Sequence, residues 1–193
     1  TLTAPAVKTE VLKPYIAPAL LITTGAIIHF TEGTKTTVRD FMQDNLRYDG
    51  AVDDYAQYAP LAAVYILNLF GIDGKNNFGN RTAVAVKSLL LNALITGWLK
   101  EWSDTERPNG DMNSFPSAHT SKAFTMAHIM HREFGSVSHW YSISGYTCAA
   151  AVGIMRMAKD AHWVSDVLAG AGIGILSAEV VYRTHQYKWD NEH

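Results

Sequence analysis

Residues 160–182 read DAHWVSDVLAGAGIGILSAEVVY, and whether this stretch is one helix decides the fold. Asp160 is a good residue to cap a helix start, and the apolar positions after it run on to Tyr182 without a proline. Gly170, Gly172 and Gly174 stand inside the run. Each costs a helix about 1 kcal/mol against alanine. Close packing against neighbouring helices is the plain explanation; a ligand approaching the backbone is the other.

Outward from there the same period holds. Helices are predicted over Trp140–Met155, over Ser117–Glu133 up to Gly135, and over Arg81–Leu99. The last places Val84, Leu91, Leu94, Ile95 and Trp98 on one side. Ala59–Phe70 is an apolar run ended by Gly71 and by the turn signal Asp73–Gly74. Lys35–Leu46 is a short amphipathic helix, with Val38, Phe41, Met42 and Leu46 on one face. No alternating strand pattern, repeat or low-complexity linker interrupts this. The chain reads as all-α, one domain over 1–193, a bundle of six or seven helices.

Composition narrows the class. The formal net charge is −2 over 193 residues, which gives no basic face for nucleic acid. Cys148 is the single cysteine, so an internal disulfide or a paired-cysteine metal site is excluded. Mean hydropathy is −0.03, a value usual for soluble proteins. Three stretches lack Asp, Glu, Lys and Arg: Pro14–Thr31, Tyr55–Ile72 and Phe134–Met155. Each could cross a hydrocarbon core of about 30 Å, but each carries proline or several polar residues. They are expected to be buried core, with a membrane-seated bundle as the alternative. Numbering starts at Thr1 without an initiator methionine or a signal-peptide pattern, so an upstream segment is expected either to have been cleaved or to lie outside this sequence.

Three short motifs carry chemistry. In KEWSDTERP, residues 100–108, Lys100 and Arg107 are seven apart. Two helical turns would aim both cations at one point. In FPSAHT, residues 115–120, Pro116 is suited to a helix start. Ser117, Ala118 and His119 would fill the first turn, where free amides and the dipole attract anions. His162 and Asp166, four apart, share a helix face, and the carboxylate can fix the imidazole tautomer. Arg156 can return to the same spot through a short loop. Alone, each has a bland reading: a solvated helix end, a capping serine, a structural His–Asp pair. Together they offer charge neutralisation, a nucleophile and a proton donor, which are the needs of phosphoryl transfer.

Their order and spacing, K-x6-R-P, P-S-x-H and R-x5-H-x3-D, resemble the signature of the type 2 phosphatidic acid phosphatase (PAP2) superfamily. The match spans Lys100 to Asp166. That superfamily holds lipid phosphatases, bacterial acid phosphatases and vanadium haloperoxidases on an all-α core. The resemblance implies that His162 attacks phosphorus and Asp166 orients it. It implies that His119 protonates the leaving oxygen and then activates water. Lys100, Arg107, Ser117, Ala118 and Arg156 would hold the phosphate. It implies no metal or other cofactor, although phosphate or vanadate could occupy the site.

Three departures bear on substrate preference. Ala118 stands where the family usually has glycine, at a cost if that position needs positive φ. Met155 replaces a serine. The Pro108–Pro116 interval is short. The expected activity is metal-independent hydrolysis of phosphate monoesters or pyrophosphates, of lipids by preference, through phosphohistidine. A haloperoxidase and a non-catalytic relative are the alternatives. The expected partners are a phosphorylated small molecule or lipid and, at most, a membrane surface touched peripherally. The expected location is periplasmic. No oligomeric state is indicated.

Other residues read as ordinary. His128 and His131 are packed or solvated rather than a metal pair. His185 and His193 belong to a polar tail. Trp98, Trp102, Trp140, Trp163 and Trp189 are core or interface, with Trp163 a candidate to line the pocket. Cys148 is a small buried hydrophobe.

Overall fold

The structure, a computed structural model, describes residues 9–187. His193 and Trp189 lie outside the described residues. Among the described residues eight helices follow in order: α1 (Thr9–His29), α2 (Glu32–Leu46), α3 (Val52–Ala56), α4 (Ala59–Leu69), α5 (Phe78–Ser103), α6 (Ala118–Phe134), α7 (His139–Ala158) and α8 (Val164–Thr184). No strand occurs among the described residues. The all-α reading holds. The count exceeds seven because α3 is five residues long, too short for a periodic pattern, and because Pro14 and Pro18 lie inside α1.

α8 is the central post and packs on α1, α5 and α6. Its glycines explain how. A Cβ at Gly170 would lie 2.7 Å from the carbonyl oxygen of Ser117, and one at Gly172 would lie 2.6 Å from that of Pro18. Backbone therefore meets backbone on two sides of α8. The core follows: Val64, Val84, Ile129, Phe134 and Ala178 are buried together at one level, with Ala123, Ala127, Ala149 and Val152 at another.

Buried polar groups pair at the end away from the three motifs. Glu133 receives bonds from Asn76, Arg81 and Tyr182. His128 lies 2.6 Å from the Tyr146 hydroxyl and 3.0 Å from Glu179, and Glu179 also binds Arg132 and Arg183. That is the packed role expected of His128. His185, read as part of a polar tail, is buried beside Lys87.

The expectation that Pro14–Thr31 is buried core is not met. On α1, Val11, Leu12, Ile16, Leu20 and Ile27 are exposed. So are Leu90 and Leu94 on α5, Ile66 and Leu69 on α4, and Ile143 and Ile154 on α7. Trp98, Trp102 and Trp140 are outside the core, at 65%, 72% and 75% exposure. Absence of charge signalled an apolar surrounding, which the sequence reading assigned to protein. α1 from Val11 to His29, α5 and α8 are each long and apolar enough to cross a membrane. α8 meets that measure while mostly buried inside the bundle.

Candidate active site

The three motifs meet at one end of the bundle. α5 ends at Ser103, and Asp104 takes the left-handed conformation at φ 42° that closes it. Lys100 is in the last turn, whereas Arg107 lies in the loop beyond. The two cations therefore do not share a helix face, as their spacing suggested; the loop brings Arg107 back. A turn from Arg107 to Gly110 (N–H···O 3.0 Å) and a bond from the Arg107 amide to Asp111 O (2.7 Å) fold it. Its far side is tied down by Ser114 N to Thr105 O and by Ser103 Oγ to Phe115 O. Lys100 Nζ donates to the carbonyls of Asn113 and Ser114. The short interval between the first two motifs thus makes a compact strap.

Ser117 is the N-cap of α6 rather than part of its first turn. Its buried hydroxyl lies 3.0 Å from Thr120 Oγ1 and accepts from the Thr120 amide. Ala118 and His119 open the helix, so their amides have no partner within it. Ala118 is not among the residues with positive φ. Alanine in place of glycine therefore carries no backbone penalty here.

His162 also differs from its expected setting. α8 begins at Val164 with Trp163 as cap, and Asp160, the expected cap, sits at φ 55° in the preceding turn. His162 thus precedes the helix. Asp166, in the first turn, is the fixed point. Its Oδ2 accepts from the Trp163 amide at 2.9 Å, lies 3.3 Å from His162 Nδ1, and accepts from the Ser114 hydroxyl. Its carbonyl accepts from the Ser117 amide at 3.0 Å. One residue joins the strap, the α6 cap and the histidine loop. Burial pushes His162 down to about 4, against the pull of Asp166. The ring is therefore neutral near pH 7, with Nδ1 toward Asp166 and Nε2 left over.

Arg156 closes α7 and is buried. Lys100 lies within electrostatic reach of Arg107, Arg156 and Asp166. His162 feels both Lys100 and Arg156. The buried Nε atoms of Arg107 and Arg156 have no hydrogen-bond partner. Two orphan cationic donors at the mouth of a helix suit an oxyanion.

Sequence reasoning missed two carboxylates. Asp53, fully buried, accepts from Arg156 Nη1 at 2.6 Å and pairs with Lys159 at 3.5 Å. Burial opposes its charge, but the Arg156 bond and charge hold its carboxyl below the usual range. Asp54 Oδ1 lies 3.0 Å from His119 Nε2 and 3.9 Å from Arg156 Nη1. Burial, and then the charge of Arg156, press His119 below its ordinary value, and Asp54 opposes them. The tandem of acids was the available signal, but nothing local tied it to His119, 65 positions on, or to Arg156, 103 positions on. Arg39 grips Asp160 through two bonds of 2.7 Å and so ties α2 to the histidine loop.

Several cavities open at this end, and two of them touch the motif cations. A groove of about 430 Å3 between α5 and α6 starts at Lys100 and Ala118 and passes Gly97, Ala93 and Leu89 to Met126. Another, of about 570 Å3, is lined by Arg107, Trp163, Lys35 and Glu32. Trp163 therefore lines a cavity, with its indole N–H on the Glu106 carbonyl.

Residues 81–190 match the family model of the PAP2 superfamily. The chain is 38% identical over 146 residues to a lipid A 1-phosphatase of Porphyromonas gingivalis, covering 71% of this chain and 33% of that protein. It is 39% identical over 75 residues to the bacitracin transport permease protein BcrC of Bacillus licheniformis, 37% of this chain and 34% of that one. The chain thus spans about a third of the length of the curated relatives it matches. Two crystal structures share the fold. Aquifex aeolicus LpxE has a TM-score of 0.58 at 18% identity, over 78% of this chain and 95% of that one. The first transmembrane PAP2 type phosphatidylglycerolphosphate phosphatase from Bacillus subtilis has 0.62 at 21%, over 89% and 95%. A family model covering more than half the chain, laid over a helical frame that gathers the three motifs, makes this chain a member of the PAP2 superfamily.

Proposed function

We propose that this protein is a membrane-embedded lipid phosphate phosphatase working through phosphohistidine. The observation that carries the reading is the joining at Asp166 of the strap that follows Lys100, the α6 cap and the histidine loop, beside Arg107 and Arg156, whose buried Nε atoms are unpartnered. Phosphate would sit against Lys100, Arg107, Arg156 and the first-turn amides of α6, with Ser117 shaping that turn. Neutral His162 attacks phosphorus through Nε2, and Asp166 offsets the charge that develops on the ring. His119 gives its proton to the leaving oxygen and then takes one from the water that cleaves the phosphohistidine. The cations and the helix start stabilise the equatorial oxygens.

A lipid substrate is favoured by the groove, whose charged mouth shares Lys100 and Ala118 with the phosphate site and whose walls are mostly apolar. The cavity beside Arg107 would receive the polar part of the leaving group. Lipid A and phosphatidylglycerolphosphate, the substrates in the names of relatives, are the first to try. Exposed apolar helices favour a bilayer setting for the bundle, and a site at the periplasmic interface is part of this proposal.

The test is phosphate release from lipid A, phosphatidylglycerolphosphate, an isoprenoid pyrophosphate and p-nitrophenyl phosphate, in EDTA. His162→Ala is expected to abolish turnover on all of them. His119→Ala should abolish it on alkyl esters and spare part of it on p-nitrophenyl phosphate, whose leaving group needs no proton. Near-normal rates in both variants would refute the assignment. Bromide oxidation with vanadate and peroxide, without phosphate release, would mark a haloperoxidase instead.

A further inference from the structure

α3 is one and a half turns long, yet it delivers two adjacent carboxylates to two different parts of the site. Asp53 turns inward to Arg156 and Lys159. Asp54 lies 3.9 Å from Arg156 Nη1 and reaches 3.0 Å from His119 Nε2. We propose that Asp54 is the positioning residue of the acid–base histidine, holding His119 with Nε2 toward its carboxylate and Nδ1 toward the leaving oxygen. This rests on the phosphatase reading above and assigns a part that the sequence motifs leave empty.

The chemistry follows from which nitrogen is occupied. In the first step a bond forms between His162 Nε2 and phosphorus, and the bond from phosphorus to the leaving oxygen breaks. The proton on His119 Nδ1 moves to that oxygen. His119 is left neutral, with its remaining N–H on Nε2 donated to Asp54. That tautomer leaves a lone pair on Nδ1. In the second step water loses a proton to Nδ1, its oxygen bonds to phosphorus, and the phosphorus–His162 bond breaks. Asp54 thus presents one nitrogen for both transfers and stabilises the imidazolium that precedes the first and follows the second. The site holds two carboxylate–imidazole pairs of opposite sense: His162 turns Nδ1 to its partner, His119 turns Nε2.

Other charges face the ring. Arg156 from α7 and Lys122 from α6 itself both disfavour the imidazolium, and Asp54 from α3 opposes them. Removing the Asp54 charge leaves only the two cations. The side chain of Asp54 is 45% exposed, so Asp54→Asn changes charge without opening a cavity.

The experiment compares full-length wild type, Asp54→Asn, Asp54→Ala and Asp54→Glu in detergent micelles. Rates on n-hexyl phosphate and p-nitrophenyl phosphate are measured against pH, and the His119 ring is titrated by 15N NMR. In Asp54→Asn the alkaline limb of kcat/KM and the NMR midpoint of His119 should both move to lower pH. The hexyl to p-nitrophenyl rate ratio at neutral pH should fall about tenfold or more. Asp54→Ala should lose at least as much, and Asp54→Glu should restore part. A merely structural role would lower both substrates together and leave the limb in place. An unchanged limb, or an unchanged rate ratio, in Asp54→Asn overturns the proposal. Should wild type cleave neither ester, the phosphatase reading fails, and an unmoved His119 midpoint would separately sink the Asp54 assignment.

Discussion

His162 has 3% of its surface exposed, and as the proposed nucleophile it attacks only when neutral. Its value of about 4 sets an acid limb: kcat/KM should rise as pH climbs through about 4. As the proposed acid, His119 must be protonated, and its lowered value places the alkaline limb below the ordinary imidazole range in the free enzyme. A bound phosphate dianion favours the imidazolium, so the alkaline limb of kcat should lie at higher pH than that of kcat/KM. Steady-state profiles in three-component buffer check both limbs. Asp53→Ala leaves Arg156 buried with no carboxylate on that side. Breaking such a pair costs about 3–5 kcal/mol, so a clear loss in thermal stability is expected alongside lost activity. His162, Asp166, His119 and the three cations were legible because they lie in short fixed-interval blocks. Asp53 and Asp54 were not, because only the folded chain brings α3 against α6 and α7.

Among the elements, helix existence was legible and helix ends were not. α2, α4, α5, α6, α7 and α8 all lie where apolar period placed them. The ends near the motifs moved because loop geometry, not period, decides them: Asp160 was read as a cap and is instead held by Arg39 in a left-handed turn. The glycines of α8 were read as packing residues, and Gly170 shows the mechanism. Its missing side chain lets the Ser117 carbonyl approach while the Ser117 amide reaches Asp166. Gly170→Ala should push the start of α6 away, with a larger loss in kcat/KM than in melting temperature. Gly97 is the opposite case. A Cβ there meets nothing within 4 Å, and the position lines the groove. Gly97→Leu should favour the helix by about 1 kcal/mol yet impede long-chain substrates. Activity on a chain-length series of alkyl phosphates checks this: long chains should slow at least tenfold while p-nitrophenyl phosphate is spared.

At the scale of the whole molecule, the apolar outer faces of α1, α4, α5 and α7 need a non-aqueous surrounding. Mean hydropathy concealed this, because charged residues concentrate in the two ends and in α2 and average out the apolar middle. Exposed Trp98 and Trp102, stacked at 6.3 Å on the last turns of α5, suit an interface between bilayer and water. Quenching of tryptophan emission by lipids brominated near the head group should exceed quenching by lipids brominated near the chain end. Removing detergent should aggregate the protein.

The groove between α5 and α6 has Ala93 and Gly97 exposed along one wall, so it opens sideways rather than only at the end of the bundle. A lipid lodged there would never have to leave its leaflet. Encounter would then be a two-dimensional search, and the rate would follow the mole fraction of substrate among its neighbours rather than its amount per volume. Diluting the substrate with inert phospholipid at fixed bulk concentration should slow turnover in proportion, and a water-soluble ester should feel no such dilution.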